Sequence, residues 1–252
     1  ALRITRSRVS LHAEAPAAAV LRRASAAPVI QVGVGGLTAP QPTDVTIEGI
    51  VVQLGSLVED DRPRTAFEAL LMISEATERV RVVGCDLSVQ DVGGRLAGIA
   101  TAGREVTIER CTVERLTIGI IATEGTADLV VRDCIVTARS RSLKWSSLTE
   151  VIAGEDTGAA GIAVLACEGS TRVENNVVLA HRYGILLGNP ESERQGIASP
   201  DAVIAHNVVV RGAPAAIRDE PEPSPAPPPQ PGPAPVAPTP PVAPGRPVAG
   251  PT

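Results

Sequence analysis

The chain has 252 residues and a net charge of −5, with 44% hydrophobic but only 1% aromatic side chains: one Trp, one Tyr and one Phe. It has neither a basic stripe nor aromatics to stack on bases, which argues against nucleic acid as a partner. No apolar run approaches the ~20 residues of a membrane-spanning helix.

From the first residues onward, one template recurs. LRITRSRV (2–9) reads apolar-x-apolar-x-x-small-x-apolar. VTIEGIVV (45–52), VRVVGCDLSV (80–89), VTIERCTV (106–113), LVVRDCIV (129–136), TRVENNVV (171–178) and AVIAHNVV (202–209) repeat it, with lapses at Thr171 and Ala202. Self-similarity of this kind marks a repeat array. The apolar positions are mostly Val, Ile and Leu, which suit a pleated surface. Aligning the copies puts Ser7, Ile50, Cys85, Cys111, Cys134, Asn176 and Asn207 in one column. The steps from Cys85 to Cys111 and on to Cys134 are 26 and 23 residues, the length of one coil with tight turns. Longer steps add loops, and VIQVGVGG (29–36) leaves room for an extra coil between the first two copies.

A second set of short strands alternates with the template: ALLMI (69–73), GIAT (98–101), GIIAT (119–123), GIAVL (161–165), GILLG (184–188) and AAI (215–217). A Gly before the Ile reads as a sharp corner, since Gly accepts backbone angles that other residues avoid. Each coil is then strand, small-residue bend, strand, Gly corner, strand, and no coil buries its apolar face alone. Insertions of loop-like composition fall at 54–68, 138–158 and 188–201. The first two leave at one corner and the third at another. SLTEVIAG (147–154) has room for a short helix. From residue 219 the chain is dominated by Pro, Ala and Val, which cannot form ladder hydrogen bonds; it reads as an extended or disordered tail, a linker rather than a docking segment. The expected organisation is a β-helix domain over 1–218 and a Pro/Ala-rich tail over 219–252.

These repeats resemble the right-handed parallel β-helix superfamily with the pectin-lyase-like fold, which includes pectate lyases, polygalacturonases and phage tailspikes. The resemblance implies an all-β chain: a single-stranded right-handed parallel β-helix of about six to eight coils, followed by a disordered or extended Pro-rich C-terminal tail. It names no activity, because one fold hosts many.

The Cys/Asn column, Cys85, Cys111, Cys134, Asn176 and Asn207, reads as an internal structural ladder. Buried Asn bonds to its neighbours above and below, and free Cys behaves as a small hydrophobe. No C-x-x-C pair suggests zinc, and no metal site or cofactor is expected. Glu59-Asp60-Asp61 offers the paired carboxylates a glycosidase needs, but Arg62 and Arg64 beside them suit a solvated charge cluster. The Asn-Thr-Asp, Gly-His-Gly and Arg-x-Lys motifs of polygalacturonases do not occur. His181, His206 and His12 fall in different columns, and VGVGG (32–36) lacks the third Gly of a dinucleotide loop.

Insertions 54–68 and 138–158, leaving one corner on separated coils, would wall a groove. Gln90, Asp91, Arg95, Glu114 and Arg115 would floor it; Asp60, Asp61, Arg62, Arg141, Lys144, Trp145, Glu155 and Asp156 would line its walls. Asp91, Glu114 and Arg115 are the candidates for catalysis there, and Trp145 is the residue equipped to stack on a sugar. The expectation is a non-catalytic structural or binding module of a surface or fibre-like assembly, in contact with glycan, with other subunits or domains capping its ends. The alternative is a polysaccharide lyase or glycoside hydrolase using the groove, and a trimeric fibre is a third option. LRITRSRV reads as a mid-array coil, so more chain or another subunit is expected upstream, and an extracellular or particle-surface location is favoured.

Overall fold

A computed structural model describes residues 1–15, 19–23, 28–34, 40–56, 68–91, 96–116, 118–137, 160–165, 167–179, 183–188 and 201–210. The Pro-rich segment 219–252, the strand expected at 215–217 and the helix expected at 147–154 lie outside them. The described residues are all-β. Strands come in threes along the chain. The first three are β1 (Leu2–Ile4), β2 (Val9–His12) and β3 (Ala19–Arg23), followed by β4 (Ile30–Val32), β5 (Thr43–Glu48) and β6 (Ile50–Ser56). Next come β7 (Glu68–Ile73), β8 (Glu78–Val83) and β9 (Asp86–Asp91), then β10 (Leu96–Thr101), β11 (Arg104–Glu109) and β12 (Thr112–Glu114). The rest are β13 (Ile118–Ala122), β14 (Ala127–Arg132) and β15 (Ile135–Thr137); β16 (Ala160–Val164), β17 (Glu168–Glu174) and β18 (Val177–Leu179); and β19 (Tyr183–Leu187), β20 (Asp201–Ala205) and β21 (Val208–Val210).

Every third strand is hydrogen-bonded to the next, which gives three parallel sheets of 7 strands each. The first sheet runs from β1 to β19, the second from β2 to β20 and the third from β3 to β21. The chain therefore visits the three sheets in turn, again and again, an arrangement compatible with a parallel β-helix. Inward side chains stack as like on like. Ile30, Leu71, Ile99, Ile120 and Ile162 form one such column, and Val45, Val80, Val106 and Leu129 another; all nine are fully buried.

The template spans the second-sheet strand, a bend and the third-sheet strand. Its bend residue sits in the left-handed region in successive copies: Gly49 (φ 68°), Gly84 (57°), Arg110 (54°), Asp133 (56°), Asn175 (56°) and His206 (56°). L-residues rarely adopt such angles, so the surrounding ladders must hold them there.

Two expectations require correction. Ser7 does not belong to the Cys/Asn column. β2 pairs with β5 through Val9–Val45, which puts Ser7 opposite Thr43, whose N–H donates to the Ser7 hydroxyl at 3.0 Å. The residue beside Ile50 is Ala19. LRI is instead a first-sheet strand, paired with the IQV of VIQVGVGG. The Gly-Ile glycines are not corners either. Gly98, Gly119, Gly161 and Gly184 lie inside first-sheet strands and have no positive φ. At Gly119 an added Cβ would stand 2.1 Å from Val136 Cγ1, and at Gly98 2.3 Å from Val113 Cγ1. Close approach of the first sheet to the third-sheet valines excludes a side chain there.

Candidate functional site

Cys85, Cys111, Cys134, Asn176 and Asn207 occupy one inward column at the bend between second and third sheets. Thr112 N–H donates to the Cys85 carbonyl, Ile135 N–H to that of Cys111, and Val177 N–H to that of Cys134, each at 2.9 Å. The four cysteines are free and buried. Cys111 Sγ–H has the carbonyls of Glu109 at 3.4 Å and Val82 at 3.6 Å as acceptors. The neighbouring Cys111 thiol, then burial, drives the Cys85 thiol far above its ordinary range. Cys111 is pushed up to about 12, chiefly by its contact with the Cys134 thiol. Such thiols are poor nucleophiles, since the thiolate is the reactive form. Asn176 is fully buried and spends its carboxamide on the backbone: its Oδ1 accepts from Cys134 N–H at 2.9 Å, and its Nδ2 donates to the Val131 carbonyl at 3.1 Å. It also donates to Asn207 Oδ1 at 2.9 Å, and Asn207 Nδ2 donates to the Val173 carbonyl at 2.7 Å.

Of the proposed groove, Asp60, Asp61, Arg62, Arg95, Arg141, Lys144, Trp145, Glu155 and Asp156 lie outside the described residues, as does His181. Gln90 and Asp91 end β9, with only their backbone described. Glu114 and Arg115 are exposed at the end of β12, and Arg115 is left-handed (φ 62°). Glu114 pairs in register with Ser88, three positions before Asp91, so Glu114 and Asp91 do not stand in one column. Segments 57–67 and 138–159 each join a third-sheet strand to a first-sheet strand, whereas 189–200 joins the first sheet to the second. His12 Nδ1 lies 3.0 Å from Glu48 Oε2, and His206 is an exposed bend residue.

The best-defined charged surface is the outer face of the second sheet, which the sequence reading passed over. Alternation along β5, β8, β11, β14 and β17 points every second residue outward. One outer column carries Asp44, Arg79, Glu105 and Asp128, and the next carries Thr46, Arg81, Thr107 and Val130. Arg79 Nε donates to Asp44 Oδ1 at 2.6 Å, and that bond holds the Asp44 carboxyl below the usual carboxylate range. A third column ends each strand and holds Glu109. Its carboxylate is 5% exposed and accepts from Arg132 Nε at 2.9 Å and Arg81 Nη2 at 3.2 Å, with Arg110 at 3.7 Å. Arg132 Nη2 also bonds to it. The Arg132 guanidinium, above all, keeps Glu109 ionised to lower pH than a free Glu. Farther along, β17 carries an extra residue opposite Asp128, whose Oδ1 accepts from Ser170 N–H at 2.9 Å. Between these columns lies a shallow hollow of about 520 Å³, lined by Asp44, Thr46, Arg79, Arg81, Glu105 and Thr107 among others.

Among the described residues no group of three or more His, Cys, Asp or Glu is placed to hold a metal ion, and no helix is long and apolar enough to cross a membrane. No protein-family model, curated protein or solved structure matches the chain.

Proposed function

We propose that this chain is a right-handed parallel β-helix acting as a non-catalytic structural and binding module of a larger surface or fibre-like assembly, with a hydroxyl-rich glycan as the class of ligand and other subunits covering its ends. The arginine pairing of the second-sheet carboxylates carries this reading: Asp44 accepts from Arg79 Nε at 2.6 Å and Glu109 from Arg132 Nε at 2.9 Å. Asp44 and Glu109 are both driven down by arginine. Two-carboxylate hydrolysis instead works by pushing one carboxyl up, so that it donates a proton near neutral pH. Carboxylates locked to guanidinium groups build a rigid, salt-laced surface rather than an acid. The hollow on the second sheet offers threonine hydroxyls between charged donors and acceptors, a chemistry suited to sugar hydroxyls. The twist of parallel strands supports right-handedness, since crossovers between parallel strands of one sheet take that hand in about 98% of cases.

The test is turnover. The chain is incubated with acidic and neutral polysaccharides from acid to alkaline pH, and reducing ends and unsaturated products are measured. Neither should appear above a heat-denatured control. Turnover that disappears in Asp91→Asn or Glu114→Gln would overturn the proposal in favour of a lyase or hydrolase.

A further inference from the structure

The two ends of the described stack match one another column by column. In the second sheet one outer column runs Arg8, Asp44, Arg79, Glu105, Asp128, Ser170, Asp201. In its middle, Arg79 is flanked by acids on both sides: it bonds to Asp44 and feels the charge of Glu105. Arg8, at one end of the column, has an acid on one side only, Asp44, whose ionisation it favours. Asp201, at the other end, is exposed. In the third sheet Val20 and Val208 end one column, 48% and 55% exposed. Leu11 and Ile204 end an inward column of the second sheet, and at the β1–β2 end a hollow of about 330 Å³ opens, lined by Leu2, Ile4, Val9 and Leu11 together with Arg3, Thr5 and Arg6.

We propose that copies of this chain stack head to tail, β19, β20 and β21 of one lying on β1, β2 and β3 of the next. The partner is a second copy, and the proposal rests on the β-helix reading above. Asp201 then flanks Arg8, reproducing the arrangement Arg79 already has within the chain. Val208 stands beside Val20 in an outward column, where mid-stack Ile135 is similarly exposed, Ile204 covers Leu11, and three parallel ladders continue across the junction. Among the described residues β1–β3 and β19–β21 are the edge strands of the three sheets, and an edge strand is a template for such pairing. Because each copy offers a different surface at each end, the contact does not close on itself and generates open filaments.

Sedimentation velocity of the full chain over a range of concentrations tests this. Mass should rise with concentration. Arg8→Asp or Asp201→Arg alone should weaken association at least about tenfold, since like charges would then face each other across the junction, and the double reversal should restore it. In a second test, Val20→Cys and Val208→Cys in one chain place Cα atoms about 4.8 Å apart across the junction, within disulfide reach. Oxidation should give a reducible series of multimers that neither single variant forms. A dimer from Val20→Cys alone would mean like ends meet, and would overturn the head-to-tail arrangement. So would a chain that is monomeric at every concentration, or single reversals without effect. A folded, monomeric chain without turnover would refute stacking and leave the module reading standing; polysaccharide turnover in a chain that still stacks would do the reverse.

Discussion

The first and second sheets are built from the same chain, in the same circuits and each with parallel pairing, yet they solve different problems. Strands β10, β13 and β16 of the first sheet are buried along their whole length. Ile120 packs into the central core, and its neighbour Ile121 into a second apolar cluster with Ala97, Ala100, Ile118, Ala160 and Ala163. The second sheet keeps one dry face. In β14 Leu129 and Val131 are fully buried, while Asp128 and Arg132 are exposed. Continuous apolar runs belong to strands covered on both faces, and alternation to strands with one wet face. The two sheets therefore differ in what their outer faces contribute. Both rest on the same hydrocarbon core; the first adds small apolar packing on its outer side, whereas the second carries there a row of largely exposed ion pairs that adds little.

The sharpest way to break this comparison is to put one charge on each outer face. Ile121→Asp should unfold the chain or cost several kcal/mol, because the carboxylate would be buried without a partner. Thr107→Asp, on the second sheet beside Arg81, should change stability by no more than about 1 kcal/mol. Thermal melts of the pair decide it, and equal losses would dissolve the distinction. A smaller effect is expected at Glu109. Its carboxyl titrates lower folded than unfolded, so its contribution is complete above the unfolded value of about 4.3 and is lost as pH falls through the lower folded one. Glu109→Gln should cost about 2 kcal/mol at neutral pH, in line with hydrogen bonds to charged groups. It should also flatten the acid limb of a melting-temperature profile recorded from pH 7 downward; an unchanged acid limb would show that the three arginines do not stabilise the fold through Glu109. The smallest effect should be a gain. Thr171 is fully buried in an otherwise apolar inward column, and its hydroxyl has no hydrogen-bond partner. Thr171→Val should add about 1 kcal/mol by removing that desolvated hydroxyl, measurable as a shift of the urea midpoint at constant slope.

Much of the strand order can be read directly from the repeats. The template announces the bend between second and third sheets, because the inward apolar positions and the small bend residue recur at each pass. The Gly-Ile runs announce the first sheet. Thr171, visible in the sequence as a lapse, proves to be the unpartnered hydroxyl. The misplacement of Ser7 has a local cause. LRITRSRV satisfies the template by coincidence, while the true equivalent, VSLH followed by AVLRR, is split by residues 13–18, which hides Ala19 as its column residue. The glycines misled because a Gly that avoids a neighbouring Val reads the same as one that turns a corner. The ionic face was illegible for a different reason. Alternation says only that Arg81, Glu109 and Arg132 point outward; that they meet depends on a register joining residues 23 and 28 positions apart.

The column of backbone hydrogen bonds through Cys85, Cys111 and Cys134 has an evolutionary corollary. Thr112 stands to Cys85 as Ile135 stands to Cys111. Excising residues 112–134 would join Cys111 to Ile135 and leave one ladder step fewer, like on like in the inward columns, but with Glu109 set beside Glu174 where Arg132 now stands between them. Duplicating them would add a step. Molecular length in such a lineage is counted rather than tuned, in increments of about 4.8 Å, and recombination can shorten or extend the protein while the inward columns keep the same kinds of neighbour.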